Sequence, residues 1–272
     1  MKADDSDSSP SEAGVTVVKI SGTLLDQPAD LDAFWRSVAN LADSGPLVLV
    51  HGGGKQATAL AERLGHTPTV VQGRRVTTDL DLDIVQWALC GKINTQLVAA
   101  AKQHGLRAVG LSGADDSMLQ VEKRPAWTVD GEQVDFGWVG DVVGVDPDVL
   151  HHLVASGRVP VVAPLGIDDA GQVYNVNADT VAQNIAAALG ASKLLLVTAS
   201  GGVRREAESA ETHLDTCDAD MVATGIAEGW IEGGMRVKVE TALAALDSGV
   251  REAFICAAND LLARSHATQV VA

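Results

Sequence analysis

The sequence predicts an α/β fold: a three-layer sandwich with helices on both faces of a mostly parallel open sheet, arranged as two lobes. Three observations lead there. Short apolar runs bounded by glycine recur along the chain, and most are followed by a stretch of helical periodicity. No repeat period or low-complexity linker divides the sequence. No apolar run reaches the roughly 18 residues that a membrane span needs. Alternation of this kind builds a parallel sheet, because each return to the same sheet edge requires a crossover.

The elements follow in order. VTVVKI (15–20) is rich in β-branched residues and reads as a strand. The next segment places Leu31, Phe34, Trp35, Val38 and Leu41 on one helical face. PLVLV (46–50) is a second strand, and the glycine turn after it leads into ATALAERLG, a helix that Gly65 ends. DLDIVQWALCGKINTQLVAAAKQHG reads as one long helix stopped by Gly105, and RAVGL (107–111) as a buried strand. Between about 118 and 146 the alternating segments SMLQVEK and GWVGDVVGV predict β-hairpins inserted in the α/β pattern. VDPDVLHHLVASG returns to helix, with Asp146 or Asp148 as its cap. VPVVAPLGI is read as one strand, ADTVAQNIAAALGA as a helix, KLLLVT as a strand, RVKVETALAALDSG as a helix closed by Gly249, and EAFICA as a strand near the end. The seam between lobes falls near Tyr174, giving a tail over 1–13, a first lobe over 14–174 and a second over 175–272.

Composition bounds the partners. A chain of 272 residues with 46% hydrophobic content can bury one large core or two small ones. Against 20 basic residues stand 36 acidic ones, a net charge of −16, spread along the chain rather than held in a tail. Such a surface repels nucleic acid and anionic membrane. Residues 1–13 are polar and acidic, without the basic start and apolar stretch of a signal peptide, so a disordered tail and a cytoplasmic location are expected. Cys90, Cys217 and Cys256 are isolated, odd in number and without metal-ligand spacing, as expected of free thiols in a reducing compartment.

Five stretches carry chemistry-bearing residues. Gly52, Gly53 and Gly54 follow a buried strand and precede a helix, where backbone N–H groups can hold an anion, or where the glycines serve turn geometry alone. Lys55 does not make this a Walker loop, since GxxxxGK followed by Ser or Thr is absent and Gln56 comes next. VVKISGTLLD sets Lys19 and Gly22 at the end of the first strand, the edge where open α/β sheets bind ligands. In GRRVTT, Arg74 and Arg75 are equally suited to grip a carboxylate or phosphate. NVNAD (175–179) offers two amides and a carboxylate, either as a turn with a helix cap or as substrate contacts. Lys238 starts a helix behind two glycines, as a solvated lysine or as a phosphate ligand.

In combination, VVKISGTLL, VHGGGK, GRRVT, VGLSG, GWVGDVVGVD, VPVVAPLGID, VYNVNAD and GGMRVKV, in this order and over about nine-tenths of the chain, resemble the amino acid kinase family. The resemblance implies transfer of the γ-phosphoryl of ATP to the side-chain carboxylate of N-acetyl-L-glutamate, a step in arginine biosynthesis, by a homodimeric enzyme. It implies that Lys19 and Lys238 stabilise the transferring group while Asp179 orients them, and that Gly22 and Gly53 offer N–H groups to it. Gly53, Gly54, Arg75, Asn175 and Asn177 match substrate-binding positions, with Arg75 rather than Arg74 on the α-carboxylate. Thr198, Ala199, Gly202, Trp230, Ile231 and Glu232 match nucleotide loops, and Mg²⁺ is carried on the ATP phosphates without a dedicated protein site. The first lobe takes the acyl amino acid and dimerises; the second takes ATP. A 14-residue polar lead before the first strand has little apolar content for the N-terminal helix of arginine-inhibited members, so insensitivity to arginine is expected. Ser21 stands where the family usually has glycine, and Ala199 where aspartate is common. A related kinase acting on aminoadipate held by an acidic carrier protein, and a non-catalytic amino-acid sensor of the same fold, are the alternatives. The first needs a basic docking surface that a net charge of −16 supplies poorly, and the second has no use for both lysines and Asp179.

A dispersed acidic excess also suits a cytoplasm rich in salt, where screening removes self-repulsion. The unfolding midpoint is expected to rise as KCl is raised from millimolar to molar; a flat or falling midpoint contradicts this.

Overall fold

The computed structural model describes residues 14–129, 131–206 and 209–272, so the tail expected over 1–13 lies outside the described residues. Its first part contains β1 (Thr16–Ile20), α1 (Pro28–Ser44), β2 (Leu47–His51), α2 (Gly54–Arg63), the hairpin β3 (Val70–Val71) and β4 (Arg74–Arg75), α3 (Asp79–Gln86), α4 (Asn94–Gln103), β5 (Ala108–Ser112), β6 (Leu119–Lys123), the hairpin β7 (Trp127–Val129) and β8 (Glu132–Val134), and β9 (Gly140–Val145). There follow α5 (Asp148–Ala155), β10 (Val159–Ala163), β11 (Leu165–Ile167), β12 (Val173–Asn175), α6 (Ala178–Ala188), β13 (Lys193–Thr198), β14 (Thr216–Cys217), α7 (Ala219–Glu228), α8 (Gly233–Asp247), β15 (Glu252–Ala257) and β16 (Thr268–Val270).

One eight-stranded sheet, ordered β14-β16-β15-β13-β1-β2-β10-β5, runs through the molecule. Its pairs are parallel except that of β15 with β16, so the sheet is mostly parallel as the sequence predicts. The period of two along a strand divides the core into the two outer layers. Val18 and Ile20 of β1, with Leu47 and Leu49 of β2, pack against Phe34, Trp35 and Val38 of α1 and against α2, α3 and α4. Val17, Val48 and Val50 face the other way, onto Val181 and Ile185 of α6 and Val239 and Ala242 of α8. Lys19 has the parity of Val17 and therefore points to the α6 and α8 face. The expected hairpins form a smaller sheet, β12-β11-β6-β9, with β7 and β8 projecting as a separate pair.

Four expectations need adjusting. VPVVAPLGI is two strands, not one: Pro164 lacks the N–H that a ladder requires, and the chain passes there from β10 in the large sheet to β11 in the small one. The cap of α5 is Pro147; Asp146 Oδ1 instead accepts from Asp148 N at 3.0 Å, just outside the helix. The long helix is interrupted by a π-helical turn over Trp87–Ile93, between α3 and α4. Helix α7, begun by Asp218 accepting from Met221 N at 2.7 Å, was not read from the sequence, because the glycine at 225 obscures its apolar face.

The π-helical turn has a consequence for the sheet edge. It presents Leu89 and Ile93 so close to Gly53 that any Cβ at that position would collide with both side chains. The next residue, Asn94, donates from Nδ2 to Val161 O at 2.8 Å, Leu111 O at 3.2 Å and His51 Nε2 at 3.3 Å. His51 is fully buried at the end of β2, and its Nδ1 lies 2.9 Å from Gly52 O. A carbonyl only accepts, so Nδ1 carries the proton and Nε2 is the acceptor. Burial lowers the His51 pKa to about 4, which keeps the ring neutral and this network intact.

A base whose pKa falls on folding contributes stability that is present above its unfolded pKa, near 6.5, and lost as pH falls through the folded value, near 4. Chemical denaturation between pH 7 and pH 4 is expected to show a loss of up to roughly 3 kcal/mol from this group, and a shallower slope in His51→Gln. Equal slopes in both proteins contradict it.

Candidate active site

The strand ends of β1 and β2 carry two glycine turns that touch. Gly52 N donates to Ile20 O at 3.1 Å, and a Cβ placed on Gly22 would lie 3.1 Å from Gly53 N. A side chain there would crowd the second turn, and its absence leaves the backbone N–H groups bare at the start of α2. Gln56 braces the pair: its Nε2 donates to Gly22 O at 2.8 Å and to Asp26 Oδ1 at 2.9 Å. Ser21 is not among the residues with positive φ, so its Cβ is accommodated, and its Oγ lies 2.8 Å from Thr23 Oγ1.

Beside the turns, three charged side chains meet from three elements. Lys19, 5% exposed, comes from β1, and its Nζ lies 3.0 Å from both Asp179 oxygens. Asp179 sits in the first turn of α6, where the helix dipole favours a carboxylate. Lys238, in α8, places Nζ 3.4 Å from Asp179 Oδ1. Burial is the main cause that lowers the Lys19 pKa; Asp179 opposes it and the Lys238 charge reinforces it. Two ammonium groups on one carboxylate leave the cluster with one positive charge in excess.

A cavity of about 380 Å³ opens onto this cluster, lined by Lys19, Gly22, Gly53, Gly54, Arg75, Asn175, Asn177 and Asp179 among others. Arg75 donates to Thr58 Oγ1 at 2.6 Å, to Gly54 O at 3.3 Å and to Asp81 Oδ1 at 3.4 Å, which ties β4 to the start of α2. Asp81 is held in turn by Thr78, in a capping box at the start of α3, and by His66 Nε2 at 3.0 Å. Asn175 Nδ2 donates to Thr77 Oγ1 at 3.2 Å. Asn177 caps α6, its Oδ1 accepting from Asp179 N at 2.8 Å and Thr180 N at 3.2 Å. The cap reading of NVNAD thus accounts for the Asn177 oxygen and fixes the backbone that carries Asp179.

A second cavity of about 420 Å³ lies at the ends of β13 and β15, lined by Thr198, Ala199, Ser200 and Gly201 on one side and Asn259 and His266 on another. Gly202, Trp230, Ile231 and Glu232 do not line either cavity. Gly202 is close-packed against His213 and Thr268, Ile231 is buried in the core, Trp230 donates to Glu228 Oε2 at 2.9 Å, and Glu232 precedes α8. A larger cavity, about 550 Å³, sits at the opposite ends of the strands against Thr16, Lys193 and Glu252. Size does not mark the site; the lysines, the carboxylate and the bare N–H groups do.

Sequence reasoning passed over His51, Gln56, Asp81, Asn94, Arg124 and Trp127. Thr78 with Asp81 three residues later is a capping-box signal that could have been read. The others act through contacts between segments far apart in sequence. The three thiols are free, and burial raises those of Cys90 and Cys256 to about 11 and about 12, which makes them poor nucleophiles.

Known proteins share the sequence and the fold. The family model described as "Amino acid kinase family" matches residues 14–257. An acetylglutamate kinase of Methanopyrus kandleri is 42% identical over 246 residues, 90% of this chain and 96% of that one. An acetylglutamate kinase of Acinetobacter baylyi is 40% identical over 88% of this chain and 80% of its own length. Among solved structures, smu.665 of Streptococcus mutans superposes with a TM-score of 0.79 at 28% identity, over 94% of this chain and 98% of that one. Giardia carbamate kinase, 13% identical, shares the fold with a TM-score of 0.70 over 96% of this chain and 99% of its own. With a glycine cradle, two lysines on one aspartate and a family match over nearly its whole length, the chain belongs to the amino acid kinase family.

Proposed function

We propose that the protein is an acetylglutamate kinase, which phosphorylates the side-chain carboxylate of N-acetyl-L-glutamate with ATP. The observation that carries the reading is the sharing of Asp179 between Lys19 and Lys238, with Lys19 and Asp179 lining a cavity that the glycine turns also line. The acceptor carboxylate is ionised at neutral pH and needs no general base. What such a site must supply is alignment and positive charge for the phosphoryl group in flight.

Each residue then has a task. Lys19 and Lys238 approach the transferring phosphoryl group from β1 and α8, and Asp179 keeps them apart and oriented. Gly22 and Gly53 donate N–H groups to its oxygens. Gly54, Arg75, Asn175 and the Asn177 amide hold the amino acid, with Arg75 on its α-carboxylate. Thr198 and Ala199, which line the second cavity, are assigned to the nucleotide, with the half-buried Trp230 and exposed Glu232 at its border, while Gly202 and Ile231 pack beneath the surface. Mg²⁺ is assigned to the ATP phosphates, since among the described residues no three His, Cys, Asp or Glu side chains form a metal cluster. The lobe over 14–174 takes the amino acid and the lobe over 175–272 the nucleotide. Leu80 and Trp87, exposed by 45% and 53% and two turns apart on one helical face, support a homodimer formed through the first lobe. No helix of the described residues is long and apolar enough to cross a membrane, which is consistent with a cytoplasmic enzyme.

Release of ADP is expected with N-acetyl-L-glutamate and not with glutamate, aspartate or N-acetylaminoadipate; turnover confined to another compound contradicts the substrate. In Lys238→Ala, kcat is expected to fall about 100-fold or more with a much smaller rise in KM. A pure KM effect assigns Lys238 to binding alone.

A further inference from the structure

The acceptor cavity holds more positive charge than N-acetylglutamate uses. Lys19 is paired with Asp179, and Arg75 is bound to Asp81, Thr58 and Gly54. Two further guanidinium groups, those of Arg74 and Arg124, line the same cavity. Both lie against one indole: Cζ of Arg74 is 4.7 Å and that of Arg124 5.1 Å from the Trp127 ring centroid. Trp127 is itself fixed edge-on against buried Phe136, with centroids 5.2 Å apart.

The two arginines are not equivalent. Arg124, 9% exposed, donates from Nε and Nη2 to Asp141 Oδ1 at 2.8 and 2.6 Å. Arg74 makes no side-chain hydrogen bond or ion pair among the described residues; its contact is the stack on Trp127. Burial and the nearby Arg124 charge lower its pKa, with Asp141 and Glu240 acting in the opposite direction. The patch therefore sets two cations against Asp141, with Glu240 acting on Arg74 from further off while itself paired with Arg236 Nε at 2.8 Å.

Arg74 is also separated from Arg75 by strand geometry. Successive side chains of β4 point to opposite sides, and accordingly Arg75 reaches the start of α2 while Arg74 reaches the β7–β8 hairpin. They do not grip one carboxylate together. With the side-chain carboxylate at the lysines and the α-carboxylate at Arg75, the part of the acceptor left for Arg74 is the N-acyl group. An acetyl group offers a guanidinium one carbonyl oxygen and no charge, whereas a carboxylate offers two oxygens and a counter-charge.

We infer that Arg74, with Arg124 and Trp127, forms a second carboxylate subsite, so that besides N-acetyl-L-glutamate the enzyme takes a glutamate whose N-acyl group carries a carboxylate of its own. The inference rests on reading this cavity as the acceptor site. The planar fork of Arg74 takes that carboxylate in a bidentate pair, while Arg124, already bound to Asp141, adds its field.

The test compares N-succinyl-L-glutamate with N-succinamoyl-L-glutamate, which has the same size and no acyl charge, alongside N-acetyl-L-glutamate. In the wild-type enzyme, kcat/KM from ADP release is expected to be at least tenfold higher for the succinyl compound than for the succinamoyl one. In Arg74→Met that ratio is expected to fall to near one, and Arg74→Gln carries the same comparison should the Met variant fail to fold. A ratio near one in the wild type, or an undiminished ratio in the variants, overturns the subsite. Turnover of N-acetyl-L-glutamate without any preference overturns the subsite alone and leaves the kinase reading standing. No turnover of any of the three acceptors overturns both.

Discussion

The carboxylate of Asp179 between two lysines is the interaction on which the rest of the molecule depends. A cation as buried as Lys19 costs several kcal/mol to desolvate unless a counter-charge accompanies it. Asp179 provides that charge from the first turn of α6, and Lys238 joins it from α8. Three elements from distant parts of the sequence must therefore pack in one register: β1 beside β13 in the sheet, α6 across β1, and α8 against α6. The same arithmetic of charge serves the proposed chemistry. One carboxylate does not neutralise two ammonium groups, and Lys19 and Asp179 line the cavity in which the proposed chemistry sets the phosphoryl group.

The second constraint is steric. A Cβ on Gly53 would meet Leu89 and Ile93 of the π-helical turn, and one on Gly22 would crowd Gly53 N; Gln56 on Gly22 O and the neutral His51 held by Asn94 brace the same turns. Their shared effect is to fix the direction of backbone N–H groups that have no side chain to steer them. Preorganised donors of this kind lose no reorganisation energy when charge develops.

The layers of the fold were legible because strand parity and helical periodicity are local properties. VTVVKI could be read as a strand from its β-branched run, and Phe34, Trp35 and Val38 state the buried face of α1; which helices cover each side of β1 came from the structure. Lys19, Asp179 and Lys238 were legible only through the family resemblance, since a lysine at a strand end and a lysine at a helix start are ordinary surface features taken singly. The split at Pro164, the π-helical turn and helix α7 were not read, because each is decided by tertiary packing over an ambiguous local pattern. Charge was the least legible. A net −16 argues against any basic surface, yet folding gathers Lys19, Lys55, Arg74, Arg75 and Arg124 around one cavity, so the average over the chain misdescribes the site.

The most direct test of the central claim is steady-state kinetics of Asp179→Asn with N-acetyl-L-glutamate and ATP. Replacing the carboxylate by an amide of the same shape leaves the buried Lys19 ammonium, and that of the half-buried Lys238, without their common partner. The account predicts a loss in kcat of about 100-fold or more with a cooperative unfolding transition retained. A variant that folds and turns over at the wild-type rate would contradict it.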